Sequence, residues 1–165
     1  MAGGDGNGWV HCGCGRRHWG RYGAAGLALI RTEPRPQILL QLRAAWTHEG
    51  GTWGLVGGAR DSHETLAEAA LREAQEEAEV DPDLVTVVRE LVGTDHGDWA
   101  YTYVIGLADP VLTVGDVTPE SDALEWVDLD DVTGRLLHSA FAATWPRLRV
   151  AVTEELARVT DPADS

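Results

Sequence analysis

Gly58-Ala59-Arg60-Asp61-Ser62-His63-Glu64-Thr65-Leu66-Ala67-Glu68-Ala69-Ala70-Leu71-Arg72-Glu73-Ala74-Gln75-Glu76-Glu77-Ala78-Glu79-Val80 is the stretch that decides how this chain is read. Thr65-Leu66-Ala67-Glu68 is a capping box, so a helix is expected from Leu66 with Thr65 as its N-cap. Asp81-Pro82 should end it. At about 100° per residue, Glu76 lies about −60° and Glu77 about +40° from Glu73. The three carboxylates therefore share about 100° of helix surface. Ala67, Ala70, Leu71, Ala74 and Ala78 form a neighbouring apolar stripe, the expected buried face. Glu68, Arg72, Gln75 and Glu79 point elsewhere, mostly to solvent.

Like charges three and four residues apart cost a helix a few tenths of a kcal/mol per pair. An acidic run is most often a solvated face. The register changes that reading. Gly58, Glu64, Arg72, Glu73, Glu76 and Glu77 fall at fixed offsets, a coincidence on the order of one in a million per register at average composition. Carboxylates beside a glycine loop suit a divalent cation held against phosphate oxygens.

These six residues match the Nudix box, Gx5Ex7REUxEExGU with U aliphatic, and the chain resembles the MutT-like Nudix hydrolase family. Trp53-Gly54-Leu55-Val56-Gly57-Gly58 resembles that family's strand-and-loop lead-in. The likeness extends over about residues 22–155, though only the box is specific. It implies an α/β/α sandwich with a mixed sheet. It also implies a Mg2+-dependent enzyme, with Mn2+ as an alternative ion, that cleaves a pyrophosphate bond in a nucleoside diphosphate linked to another group. Glu76 and Glu77 are then the principal metal ligands, and Glu73 a ligand or the general base. The Gly57 carbonyl is a further ligand, Arg72 orients a box glutamate, and Glu64 anchors the loop one remove from the metal. An additional acid from a later loop is expected at Glu120, with Asp122 and Glu125 as alternatives. Gly58 belongs to the substrate loop, and Trp46, Trp53 and Trp99 are candidates to stack on a base. The chain departs from the pattern at Glu79, where the family has its second glycine, and at Ala74, Val56 and His63. None of these removes a candidate ligand. A catalytically weak nucleotide-binding or sensor module of the same fold is the competing reading, and an interaction domain with an acidic helix the third.

Composition narrows the rest. The chain has 165 residues, the length of one domain, and a net charge of −14, which argues against binding to nucleic acid or an anionic membrane. All 13 basic residues are arginine. The phosphate lysine of a P-loop and the lysine of Schiff-base chemistry are both missing. Cys12 and Cys14, the 2 cysteines, make no disulfide framework, and with no apolar leader visible a cytoplasmic setting is expected. The partner expected is a small nucleotide, and a homodimer is allowed. Asp95-His96-Gly97-Asp98, fifteen to eighteen positions past the box, lacks the proline linked to ADP-ribose enzymes and the tyrosine linked to dinucleoside polyphosphate enzymes. That tilts the substrate toward (deoxy)nucleoside triphosphates.

Along the chain, residues 1–8 read as a disordered tail, 9–22 as an arm, 23–159 as the catalytic domain and 160–165 as a second tail. Strands are expected at 24–30, 38–42, 53–56, 84–92, 99–107 and 124–127, with a hairpin turn at His96-Gly97-Asp98. A second long helix over 139–159 should break or kink at Pro146. His11, Cys12, Cys14 and His18 are zinc-type donors, but four ligands within eight residues and no second knuckle argue against a zinc site.

Overall fold

A computed structural model describes residues 4–115, 118–119 and 121–160. A small hairpin comes first: β1 (Trp9–His11) pairs antiparallel with β2 (Arg17–Trp19). The main sheet follows, with β3 (Ala24–Arg31), β4 (Gln37–Arg43), β5 (Trp53–Gly54), β6 (Val56–Ala59), β7 (Val85–Asp95), β8 (Ala100–Ala108) and β9 (Ser121–Asp128). Its main path runs β5-β4-β3-β8-β7, with β6 joined to β3 and β9 to β4. The β3–β8 pairing is parallel and the others antiparallel, so the sheet is mixed.

Helix α1 (Leu66–Ala78) covers one face and α2 (Ser139–Thr160) the other. The sequence Ala24-Ala25-Gly26-Leu27-Ala28-Leu29-Ile30 is apolar at nearly every position because β3 is buried on both faces. Ala25, Leu27 and Leu29 pack under α1, whereas Ala28 and Ile30 pack toward Phe141, Trp145, Leu148 and Val152 of α2. This is the expected helix–sheet–helix sandwich.

Residues 4–8 carry hydrogen bonds: the Gly6 amide donates to Asp61 Oδ1 at 2.9 Å, and the Gly20 amide donates to the Gly8 carbonyl at 2.7 Å. Backbone groups spend their hydrogen bonds where partners exist, and the box loop provides them. Two local expectations change. Of the break or kink expected at Pro146, the break does not occur: α2 is continuous through it. Proline in a helix interior costs about 3 kcal/mol, but the flanking Trp145 and Leu148 are wholly buried against the sheet and hold the turn. The buried face of α1 is rotated from the expected one. Ala69, Ala70, Ala74 and Ala78 are buried, while Ala67 and Leu71 are only partly covered. Ala69 lies about −40° from Glu73, so the acids overlap the buried arc instead of standing beside it.

The start of α1 is as expected. Thr65 accepts from the Glu68 amide at 3.1 Å, and Glu68 accepts from the Thr65 amide at 2.9 Å. Its end lies at Ala78, before Asp81-Pro82. Glu79 closes the helix in the left-handed conformation, φ 53°, and its amide bonds the last turn. The glutamate thus takes the conformation that glycine adopts cheaply. Glu79→Gly should raise stability by about 1 kcal/mol and the thermal midpoint by about 2–4 °C, read by calorimetry.

Candidate active site

A cleft of about 2020 Å³ opens where α1, β6, β4 and the N-terminal hairpin meet. Gly57, Gly58, Arg72, Glu73, Glu76 and Glu77 all line it. Strand β6 brings the glycine pair there by pairing Gly57 with Gly26 and Gly58 with Ala25. The approach is too close for side chains. A Cβ on Gly57 would come 2.6 Å from Gly26 Cα, and one on Gly58 would come 2.6 Å from the Glu73 carboxyl carbon. The glycine at 58 is therefore the space that the Glu73 carboxylate occupies.

Arg72 organises the floor. Its Nε and one terminal nitrogen grip both Glu64 oxygens, at 2.7 and 2.9 Å, and that same terminal nitrogen donates to the Ala59 carbonyl at 2.9 Å. The other terminal nitrogen reaches Glu73 at 3.0 Å and Glu76 at 3.4 Å. A planar guanidinium fork suits this division of labour. Glu64 closes the loop by accepting the Asp61 amide at 3.0 Å, while Arg60 donates to the Glu64 carbonyl at 2.8 Å. Glu77 is met from β4 by Gln41 at 3.3 Å, and Gln41 also bonds Ser121 of β9.

The electrostatics follow from these contacts. Arg72 holds the Glu64 carboxyl below its ordinary value, and Glu64 in turn raises Arg72. Burial pushes Glu73 above the ordinary carboxylate value and the charge on Glu76 adds to that, while hydrogen bonding with Glu77 and the nearby Arg72 hold it back. A buried carboxylate beside two more on one helix is the kind of donor set that a hard divalent cation relieves. Glu73, Glu76 and Glu77 line one cleft, but among the described residues the metal-type donors lying within 4.8 Å of one another are Cys12, Cys14 and His18, and Asp61, His63 and Glu64. In the second group Arg72 and backbone amides already engage Asp61 and Glu64.

The aromatic expectations divide. Trp99 lines the cleft, with its indole N–H bonded to the Trp19 carbonyl at 3.0 Å. Trp46 lies at the rim, 72% exposed, and donates to the Pro119 carbonyl at 3.2 Å. Trp53 is not in the cleft wall: it packs against the α2-side core, with Arg135 stacked 4.6 Å over its ring. Its β5 position turns the side chain inward, which sequence proximity could not show. Glu120 lies outside the described residues. Of its alternatives, Glu125 pairs with Arg135 at 2.6 Å, and neither it nor Asp122 is in the wall.

Other wall residues escaped the sequence reading. Trp9, Arg16, Arg17 and His18 come from the arm, and Glu49 and His138 from points far apart in the sequence. Glu49 takes the Ser139 amide and hydroxyl, each at 2.9 Å, and lies 3.0 Å from His138. It pins the 44–52 loop to the start of α2. The positive φ of 53° at Glu49 belongs to that turn, and no sequence pattern announces it.

A NUDIX domain model matches residues 21–148. A Mycobacterium tuberculosis protein named "Putative 8-oxo-dGTP diphosphatase 3" is 48% identical over 165 aligned positions, covering 94% of this chain and 75% of that protein. The crystal structure of a Nudix hydrolase from M. smegmatis, RenU, superposes with a TM-score of 0.85 at 44% identity, covering 90% of this chain and 96% of that one. A Caenorhabditis elegans Ap4A hydrolase complex shares the fold, with a TM-score of 0.65 at 19% identity over 79% of this chain and 98% of that one. The chain belongs to the Nudix family and is a pyrophosphohydrolase. Among the described residues no helix is long and apolar enough to cross a membrane.

Two outcomes follow from the geometry. Glu64→Gln should cost about 1–3 kcal/mol of stability at neutral pH, because a charged partner of Arg72 is lost. Glu64 has a lowered folded value, so its contribution is present above the unfolded carboxylate value and disappears as pH falls through the folded one. The gap between wild type and variant in chemical denaturation should therefore close in acid. Gly58→Ala should displace Glu73 and lower kcat at least tenfold, while circular dichroism shows an unchanged fold.

Proposed function

We propose that the chain hydrolyses a pyrophosphate bond in nucleoside triphosphates or closely related nucleotides with the help of Mg2+, Mn2+ serving as an alternative ion. The observation that carries this reading is the Glu73 carboxylate, packed on Gly58, drawn in by Arg72, and raised by burial in the same cleft as Glu76 and Glu77. The relative named as an 8-oxo-dGTP diphosphatase supports a purine deoxynucleoside triphosphate as substrate.

Glu76 and Glu77 would hold the metal, with Glu73, Glu120 and the Gly57 carbonyl as further donors. A bound divalent ion supplies charge neutralisation for the phosphates and acidifies water. A box carboxylate not committed to the metal accepts the proton of the attacking water, and Glu73 is the candidate either for that role or for a metal ligand. Arg72 positions Glu73 and Glu76, and Glu64 positions Arg72. Trp99 and Trp46 offer flat faces to the base, and Arg16 and Arg17 offer charge to the phosphate tail. Gly58 keeps the loop backbone close to the substrate.

A nucleotide panel assayed with Mg2+, with phosphate and pyrophosphate release distinguished, tests this. Nucleoside monophosphate and pyrophosphate should appear from a triphosphate, and Glu76→Gln should lower kcat by about 10²-fold or more with the fold intact. Wild-type protein that releases no product from any nucleotide would refute the proposal.

A further inference from the structure

The arm supplies a second constellation that the hydrolytic chemistry leaves unused. Cys12 Sγ, Cys14 Sγ and a His18 ring nitrogen all lie within 4.8 Å of one another. Linear spacing argued against a site here, and folding back supplies what spacing lacked. The turn between β1 and β2 closes with the Cys12 amide on the Arg16 carbonyl at 3.0 Å, and the Gly15 amide on the Cys12 carbonyl at 3.0 Å. Gly15 makes that reversal at φ 88°, where a side chain would be strained. The strand pairing then returns His18 to the turn, with its Nε2 3.3 Å from Cys14 Sγ. The same register sets His18 opposite Val10 and His11 opposite Arg17, so His11 faces the other way and is not a donor.

Both ends of the constellation are held from outside the arm. The His18 ring stacks on His96 at 4.6 Å and on Trp99 at 4.5 Å, which fixes its plane. The Cys14 amide donates to Cys12 Sγ at 3.3 Å, and the Gly13 amide donates to Asp98 at 2.8 Å. The Cys14 amide lowers the Cys12 thiol, but the Cys14 side chain, burial and Asp98 outweigh it and raise Cys12 overall, whereas Cys14 is lowered, chiefly by its hydrogen bond with Cys12. Burial, with His96 and Arg16 nearby, lowers His18 and keeps it neutral, as a ligand must be.

We propose that Cys12, Cys14 and His18 bind a thiophilic divalent cation, Zn2+ by chemistry, with the fourth position taken by solvent. Two thiolates and one imidazole suit a tetrahedral borderline-soft ion and not Mg2+. Two three-residue strands cannot stand alone in water. A metal at their turn would fix the hairpin against His96 and Trp99. Arg16, Arg17 and His18 belong to the cleft wall, so the ion would set the shape of the substrate cleft without touching the box carboxylates.

Co2+ is the probe, added to the reduced full-length chain. Thiolate-to-cobalt charge-transfer absorption should saturate at one equivalent, fall on addition of Zn2+, and fail to appear with Mg2+. Cys14→Ser and His18→Phe should weaken Co2+ binding at least tenfold, the phenylalanine keeping the ring stack but lacking the nitrogen. Glu76→Gln should leave the absorption intact. In wild-type protein, Zn2+ should slow thiol-reagent attack on Cys14 at least tenfold, a readout that needs no variant to fold. Absence of the charge-transfer band in wild type, its persistence at full strength in Cys14→Ser and His18→Phe, or Zn2+-independent oxidation to a Cys12–Cys14 disulfide would each overturn the proposal.

Discussion

Arg72 joins the two halves of the box into one object. Its guanidinium closes on both oxygens of Glu64, on the Ala59 carbonyl, and on Glu73 and Glu76. The first two contacts fix the loop that leaves β6; the last two fix the acids on α1. A single planar group can do this because its donors are set at rigid angles. A lysine could neutralise one carboxylate but could not hold a loop and a helix in register. The carboxylates gathered around it would otherwise repel one another, and burial of Glu73 would be harder still.

The sheet explains why these elements meet at all. Strand β3 is buried on both faces and pairs with β4, β6 and β8. Its partner β6 delivers Gly57 and Gly58 to the edge of α1, and the small side chains Ala69, Ala70, Ala74 and Ala78 let the helix lie close. Close packing is what turns Glu73 from a solvated acid into a half-buried one. The glycines and alanines therefore act on the chemistry by determining how near the carboxylate sits to backbone. Stability and function draw on the same contacts here.

The arm adds an independent layer. It is stacked on the β7–β8 turn through His18, and the segment before it is hydrogen-bonded to the box loop through Gly6 and Asp61. Its residues enclose a cleft that the Nudix core alone would leave more open. The cleft is thus assembled from three sources: the box, the loop pinned by Glu49, and the hairpin. The box carboxylates thus come from one segment of the chain, and the rest of the cleft wall from others.

Local sequence determined the capping box, the helix it opens, the six-residue register of the box, the doubly buried β3 and the β7–β8 hairpin. Each depends on contacts within a few residues or on a periodicity that burial imposes directly. It also located Glu73, Glu76 and Glu77 on one arc, since a single helix fixes their relative angles, whereas Arg72, expected to point mostly to solvent, turns onto Glu73 and Glu76 only in the fold. Tertiary structure alone decided which arc of that helix is buried, whether Trp53 faces core or cleft, and whether Pro146 breaks α2. The same holds for His18, which returns to within bonding distance of Cys14 only through the hairpin. Those outcomes depend on which surfaces dock, and docking is set by partners distant in the chain that no local pattern encodes.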